Sequence, residues 1–497
     1  MSKDVRQETA SRVARLLEWA ATVPMSAIDD RVLDRAVLVL SDDIAAMIAA
    51  SGEAQVAAAQ RAFAATSSGH ESTVLAAGTP KLDRYSAAAA NGMAAVWAEL
   101  DEGYRIAPCH AGAYAVAAGT AEAEATGASF GELLAAVAVS YEISGRFARA
   151  FPFEGFSVHP HGCFVSLGAA AAVAKLRRFS VPYFTSAVTG ATSMAYAGPY
   201  SHAIEGALVR NAWTATGAWT GMRAVDLARA GIGGATTTPY DVFAVCFKTG
   251  VEIDELTRDL GADWAIFSGY HKVFACCQYA HAAVEANLAL VKQLPAGMLA
   301  SDIDEIVVET HPKGMTLTTI EPETVLAAKF SFPHILAASA MLGTGSARAF
   351  FGETLTDQRI SALRRRVRLA PYAPIGNWPN DRPGRVTWRL KDGRTLQAQS
   401  INARGGTDMP FSAAELMDKS QELTAGLFPH FTDVARKLVT GAPAMRDAQW
   451  RAIVAEMTRG GMAARFLMTM KDYPPSQSPG SFNLSKIEEQ LRSATAQ

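Results

Sequence analysis

The chain has few cysteines, little charge and no long apolar run, and each shortage closes a class of function. Its five cysteines (Cys109, Cys163, Cys246, Cys276 and Cys277) are odd in number and lack framework spacing. Reduced thiols and a cytoplasmic setting are therefore expected, not a disulfide-stapled secreted fold. Charged residues make up only 19% of the 497, and the formal net charge is −2, so no global field draws in nucleic acid or a membrane surface. The basic cluster "LRRRVRL" near Arg365 is short and alternates with apolar residues, unlike a nucleic-acid arm. Apolar stretches such as "AAAAVAKL" break well before the ~20 residues that span a bilayer. The start, "MSKDVRQETASRVARLLEWAATV", is an amphipathic helix and lacks the uninterrupted apolar core of a signal peptide. HExxH, CxxC and repeated carboxylate boxes are absent, so no metal site is expected.

What is present is a generous supply of core: hydrophobic residues reach 49%, in a chain too long for one hydrophobic core. Up to about residue 270 the spacing is helical almost throughout, in segments such as "DDRVLDRAVLVLSDDIAAMIAAS", "DRYSAAAANGMAAVWAEL", "AGAYAVAAGTAEAEATG" and "FVSLGAAAAVAKLRRFS". Abundant Ala and Gly let such helices approach closely. Ser129, with Glu132 three residues on, forms a capping box before "FGELL". Near residue 300 the texture changes: "IDEIVVETHP" alternates like a strand, and "GRVTWRLKDGRTLQAQSI" is a hairpin around Asp392-Gly393. One helix, "ETVLAAKFSFPHILAASAML", lies between them. The pattern predicts a mainly α protein: a large helical domain (1–270 with 410–470) carrying an inserted, smaller α+β lid domain (271–409). Residues 471–497 form a C-terminal extension, a Pro/Ser/Gly-rich linker followed by a short helix.

Chemistry-bearing residues gather in five places. In "ELDEGYRIAPCHAG", Glu99 and Glu102 stand at i,i+3 on the end of a helix, and Asp101 and His110 fall on the loop that follows. A histidine entering a helix N-terminus is favoured as the neutral imidazole, able to act as a base; a solvated acidic loop is the plainer alternative. In "FSVHPHGCFVSL", His159 and His161 flank a proline before an Ala-rich helix, a setting that welcomes an anion. Arg210, in "IEGALVRNAW", is either paired inside the fold or waiting to grip a carboxylate. In "GYHKVFACCQYAHAAVEANLAL", Lys272 and His281 are candidate pocket members, and Cys277 shares a helix face with His281 by i,i+4 spacing. Arg404, in "NARGGTDMPFS", is either part of an interdomain turn or a further guanidinium for a carboxylate.

Taken in order, "ELDEG…H", the "HP" loop before an Ala-rich helix, "HKVFACC…H", "AKFSFPH" and "ARGGTDMPFSAAEL" resemble the MmgE/PrpD family over roughly residues 10 to 440. That family includes 2-methylcitrate dehydratase, cis-aconitate decarboxylase and iminodisuccinate epimerase. The resemblance implies a homodimer of two-domain subunits, a polycarboxylate substrate and chemistry without metal or organic cofactor. The reaction would move a proton beside a carboxylate, with loss of water, loss of CO₂ or inversion. Glu99 to Gly103 align with the family's acidic "DFDDT"-like stretch, His110 with its "HPG" histidine, and His159 with its second histidine. Lys272, Phe274 and His281 align with a K-x-[YF]-P-x-x-x-x-x-H segment, with Ala275 in place of the proline. A family lysine falls on Arg210 and its neighbouring histidine on Trp213, while a tyrosine found in some decarboxylases has no counterpart in "GMTLTTIEPET". Arginine holds a carboxylate but cannot give up a proton as lysine can. The roles so implied are His110 as base oriented by Asp101, and His159 as the acid assisting the leaving hydroxyl. Arg210, Lys272 and Arg404 would bind carboxylates, with Glu99, His161 and His281 as further pocket members. A dehydratase-like lyase comes first, an epimerase or decarboxylase second, and a non-catalytic carboxylate-binding paralogue third.

Overall fold

The computed structural model describes residues 3–155, 157–295 and 298–462. The protein is mainly α-helical. The first half supplies α1 (Lys3–Thr22), α2 (Asp30–Ala50), α3 (Ala54–Thr66), α4 (Arg84–Ala95), α5 (Ala111–Thr126), α6 (Phe130–Ala150), α7 (Pro160–Leu176), α8 (Val181–Ser193), α9 (Ser201–Glu205), α10 (Val209–Arg229) and the single turn α11 (Thr238–Tyr240). After these come α12 (His281–Gln293), α13 (Val325–Lys329), α14 (Phe332–Leu342), α15 (Gly352–Thr356) and α16 (Gln358–Arg364). The chain closes with α17 (Ala413–Thr424), α18 (Phe431–Met445) and α19 (Trp450–Met457).

The capping box forms as the sequence suggests: Ser129 Oγ accepts from the Glu132 N–H, and Glu132 accepts from the Ser129 N–H. A cap of this kind contributes about 1 kcal/mol to its helix. Helices α5 and α7 are mostly Ala, Gly and other apolar residues and are buried along nearly their whole lengths, with the buried Glu122 and Glu124 of α5 held in ion pairs. Small residues let α10 lie against α7: a Cβ at Gly221 would sit 2.4 Å from the Ser166 carbonyl oxygen.

Buried apolar side chains fall into two clusters. One joins α1–α8 and α10 to α17–α19, and the other joins α12 and α14 to a mixed sheet. The sheet runs β4 (Val367–Pro371), β3 (Ile303–Thr310), β5 (Gly384–Leu390), β6 (Thr395–Ser400), after the short pair β1 (Gly103–Tyr104) and β2 (Gly269–Tyr270). β5 and β6 are the expected hairpin, antiparallel with Trp388 opposite Leu396 and Gly393 at φ +88° in the turn.

Four local expectations change. Helix α4 ends at Ala95, and Glu99 adopts φ +55°. The acidic stretch is therefore a loop, which lets Glu99 and Glu102 reach different partners. The single helix expected before residue 342 is two, α13 and α14. Ser331 caps the second through the His334 N–H, and Pro333 in its first turn cannot continue the first. "RRRVRLAP" contains strand β4, whose backbone pairs in parallel with β3. Helix α12 begins only at His281, and Cys277 precedes a separate 3₁₀ turn, so the two share no helix face. The expected C-terminal extension, 471–497, lies outside the described residues.

Candidate active site

Two buried helices start at the same place. His110 is the residue before α5, and His159 is the residue before α7, with Pro160 in the first turn. His161 sits between them, its ring centroid 4.7 Å from that of His110 and 4.5 Å from that of His159. Three imidazoles thus share one wall, held by two of the most rigid elements of the protein.

The acidic loop faces this wall. Asp101 Oδ2 lies 2.6 Å from His110 Nδ1, and the Glu102 carbonyl oxygen lies 3.2 Å from the same nitrogen. The hydrogen bond is the one to the Glu102 carbonyl, which places a proton on Nδ1, and the Asp101 carboxylate stands beside it. On its other side, Asp101 Oδ1 is 3.4 Å from Lys272 Nζ. Lys272 also lies 3.6 Å from Glu99, whose other oxygen is 2.6 Å from Arg210 Nη2. Two carboxylates and two cations therefore form a closed, fully buried chain. Burial works against the Asp101 carboxylate, but Lys272 and then His110 outweigh it and hold its pKa well below the ordinary range. Burial likewise opposes the Lys272 ammonium, and Asp101 and Glu99 push its pKa up in spite of that.

Arg210 is paired inside the fold, the first of the two alternatives its sequence context left open. Besides Glu99 it donates to the Val96 carbonyl oxygen and to Asn211 Oδ1. It also faces His159 Nε2 at 3.4 Å, while the His161 backbone N–H donates to His159 Nδ1 at 3.2 Å. Both nitrogens of His159 thus face donors. Burial and the adjacent guanidinium hold its pKa well below the ordinary value, so the resting ring is neutral. His161 is neutral for the same reasons; Tyr114 Oη engages its Nδ1 at 2.9 Å, and its Nε2 has no hydrogen-bond partner.

Asp101, His110 and His161 offer ligand atoms within 4.8 Å of one another, the one such cluster found among the described residues. Lys272 already compensates the Asp101 carboxylate, so a divalent cation there would meet a resident positive charge.

Glu99, His110, His159 and Arg210 line a cavity of about 50 Å³, which Asp101 and His161 do not line. Its remaining wall includes Lys272, Cys277 and Arg382, with the rings of Tyr200, Tyr270, Tyr279 and Phe330. Neither Arg382 nor the aromatic rings were legible beforehand, because they come from separate segments with no shared spacing. Two expected members stand elsewhere. His281 is buried behind the wall, its Nε2 3.1 Å from the Cys276 carbonyl oxygen, and burial followed by the Lys272 charge lowers its pKa to about 3. Arg404 is 46% exposed, paired with Glu415 at 2.7 Å and lying over the Phe411 ring, on a different groove. Cys277 does line the cavity, but burial raises its thiol to about 11, so it is no ready nucleophile.

A second buried network supports the loops from behind. Lys419 donates to Asp42 Oδ1 (2.6 Å) and to the Leu100 carbonyl oxygen (2.8 Å), and Asp42 Oδ2 pairs with His271 Nδ1 (2.7 Å). The neighbours of Asp101 and of Lys272 are thereby tied to helix α2. Beside it, Asp43 Oδ1 accepts from the Glu102 N–H, and Tyr141 Oη donates to Glu102 Oε1 at 2.5 Å. Gly112 makes room for this pair, since a Cβ there would lie 2.6 Å from Asp43 Oδ2 and 3.0 Å from Glu102 Oε2.

No helix among the described residues is long and apolar enough to cross a membrane. No curated protein matches the chain. The MmgE/PrpD N-terminal domain matches residues 14–249, and the MmgE/PrpD C-terminal domain matches residues 274–440. Together the two matches take in the histidine wall and, on the other side of the cavity, Cys277 and Arg382, and they show that this chain belongs to the MmgE/PrpD family.

Proposed function

We propose that the protein is a cofactor-independent lyase of the dehydratase type, removing a proton beside the carboxylate of a small acid. The observation that carries this reading is the Asp101–His110 pair at 2.6 Å, aimed from a helix start into a closed, charge-lined cavity. His110 Nε2 takes the α-proton while Nδ1–H stays on the Glu102 carbonyl, and the Asp101 carboxylate beside it stabilises the imidazolium that forms. Proton transfer by a positioned group contributes about 10²–10⁴-fold. Lys272, on the opposite wall, offsets the negative charge that develops on the substrate.

The leaving hydroxyl needs a proton, and a resting imidazolium at His159 is disfavoured by the donors around it. The acid role expected for His159 therefore passes to His110, which returns the proton it has taken, on the same face. This also weighs against two-base epimerisation, which needs an acid on the opposite face. His159 then acts as a neutral wall that positions the substrate, with His161 packed behind it.

The two apolar clusters meet at the cavity, with His110, His159 and Arg210 on one side and Lys272, Cys277 and Arg382 on the other. We read them as the large helical domain and the smaller α+β lid, with boundaries near 270 and 410. A cavity of about 50 Å³ holds little beyond a water or two, so a substrate enters by separation of the two. Family membership extends the reading to a homodimer.

The test is proton NMR in D₂O with citrate, 2-methylcitrate, cis-aconitate, malate-type and monocarboxylic acids. Deuterium at an α-carbon with water lost is the expected result. Loss of CO₂, or inversion at unchanged mass, would replace the dehydratase reading with decarboxylase or epimerase. Binding without any exchange would favour the non-catalytic paralogue.

A further inference from the structure

Counting charges around the cavity leaves one cation over. Glu99 and Asp101 compensate Arg210 and Lys272. Lys329, also buried nearby, is directed at the Trp97 carbonyl oxygen at 2.7 Å and does not line the cavity. Arg382 does line it, from the segment between β4 and β5, and is 8% exposed. The one carboxylate near it, Asp381, is held by both terminal nitrogens of Arg105 at 2.5 and 3.2 Å. It stands 3.7 Å from Arg382 Nε, which has no hydrogen-bond partner. The other Arg382 nitrogens donate to neutral oxygens, Gln278 Oε1 and the Arg105 carbonyl. Its guanidinium lies 4.5 Å from the centroid of the Tyr279 ring, a stacking that fixes the fork. Two guanidinia thus share one carboxylate, and Arg105 registers this: burial and then the Arg382 charge lower its pKa.

We propose that Arg382 is the carboxylate anchor, and that the substrate is a small acid bearing a single ionised carboxylate. This rests on the lyase reading for its chemistry but not for its binding. Glu99 occupies, from within the protein, the place beside Arg210 and Lys272 that a second substrate carboxylate would need. It does so from a left-handed backbone conformation, φ +55°, which is unfavourable for a non-glycine residue. The aromatic rings lining the rest of the cavity offer an apolar face to the body of the acid.

The probes are butanoate, succinate and tricarballylate, which carry one, two and three carboxylates on short saturated chains. Titration calorimetry on the full chain should give butanoate the tightest binding and tricarballylate the weakest. Arg382→Gln should weaken butanoate by about tenfold or more, as loss of a charge-assisted pair does, and Arg382→Lys should recover part of it. Glu99→Gln should tighten succinate by about fivefold or more relative to butanoate, by freeing Arg210 and Lys272. Thermal melts of each variant check that it folds. Tightest binding of tricarballylate by the wild type, butanoate affinity within twofold of wild type in a folded Arg382→Gln, or no binding of any probe at 50 mM overturns the proposal. Binding through Arg382 without α-proton exchange by any acid would keep the anchor and sink the lyase. Exchange whose KM is unmoved in Arg382→Gln would do the reverse.

Discussion

The five residues Glu99 to Gly103 build two buried carboxylate sites with opposite electrostatics. On the cavity side, Glu99 and Asp101 face Arg210, Lys272 and His110, and Asp101 is held ionised. On the far side, Glu102 faces Asp43, and the Tyr141 hydroxyl and the Arg35 charge do not outweigh its burial. Burial pushes Glu102 up to about 8, and burial together with the Glu102 charge carries Asp43 well above the ordinary range. Glu102 Oε2 and Asp43 Oδ2 are both buried without a hydrogen-bond partner. Adjacent acids of one loop are thus a charged working group and a neutral supporting one. What separates them is the partner each side chain finds, not the spacing they share.

The sharpest way to break this contrast is to neutralise one member of each site. Asp101→Asn should lower kcat by about 10³-fold or more, since an amide does not stabilise the His110 imidazolium. Glu102→Gln, an isostere of a group already protonated near neutral pH, should cost less than about tenfold. Equal losses in steady-state assays with the acid found by deuterium exchange would show that the two sites do not differ as argued.

Lys272→Met tests the compensation itself. It leaves Glu99 and Asp101 buried with one cation fewer, and breaking a buried pair in this way costs about 3–5 kcal/mol. Urea unfolding should show that loss. The Asp101 carboxyl, no longer held down chiefly by Lys272, should titrate higher, moving the acid limb of the rate profile to higher pH. An unmoved acid limb in a folded variant would remove Lys272 from the circuit.

The neutral pair makes a prediction of the opposite sign. An acid whose pKa is raised by folding, from an ordinary 4.5 to about 8 for Glu102, is held protonated in the native state. Between those pH values the native protein binds more protons than the unfolded chain, so stability falls as pH rises, by at most about 1.4 kcal/mol per pH unit for one group. Glu102→Gln removes this dependence. Its melting temperature should gain on the wild type steadily from pH 5 to pH 8, and a constant difference across that range would place an ionised Glu102 in the folded protein.

Much of this was legible beforehand, for reasons that are physical. Helical periodicity located α5 and α7, and the residues before them, His110 and His159, follow from that. The Asp392-Gly393 turn identified the hairpin of β5 and β6. Both signals are local. The partner of a buried charge is not: Arg210 finds Glu99 across more than a hundred residues and Lys272 finds Asp101 across still more, through loops whose path no pattern encodes. The departure of α4 at Ala95 and the positive φ of Glu99 are consequences of those pairings, so the sequence suggested a helix where the chain turns. Arg382 was invisible for the same reason.

Arg404 shows the limit from the other direction, a residue whose context suggests chemistry and whose placement gives it none. Its backbone N–H donates to Glu285, its guanidinium pairs with Glu415 in the first turn of α17, and it lies over Phe411. An exposed pair of this kind is worth little, about 0–1 kcal/mol, and the groove it borders is lined mostly by apolar groups, separate from the histidine wall. Arg404→Gln should therefore change kcat and KM by less than about twofold and shift the melting temperature only slightly. A tenfold rise in KM would bring Arg404 back to the substrate.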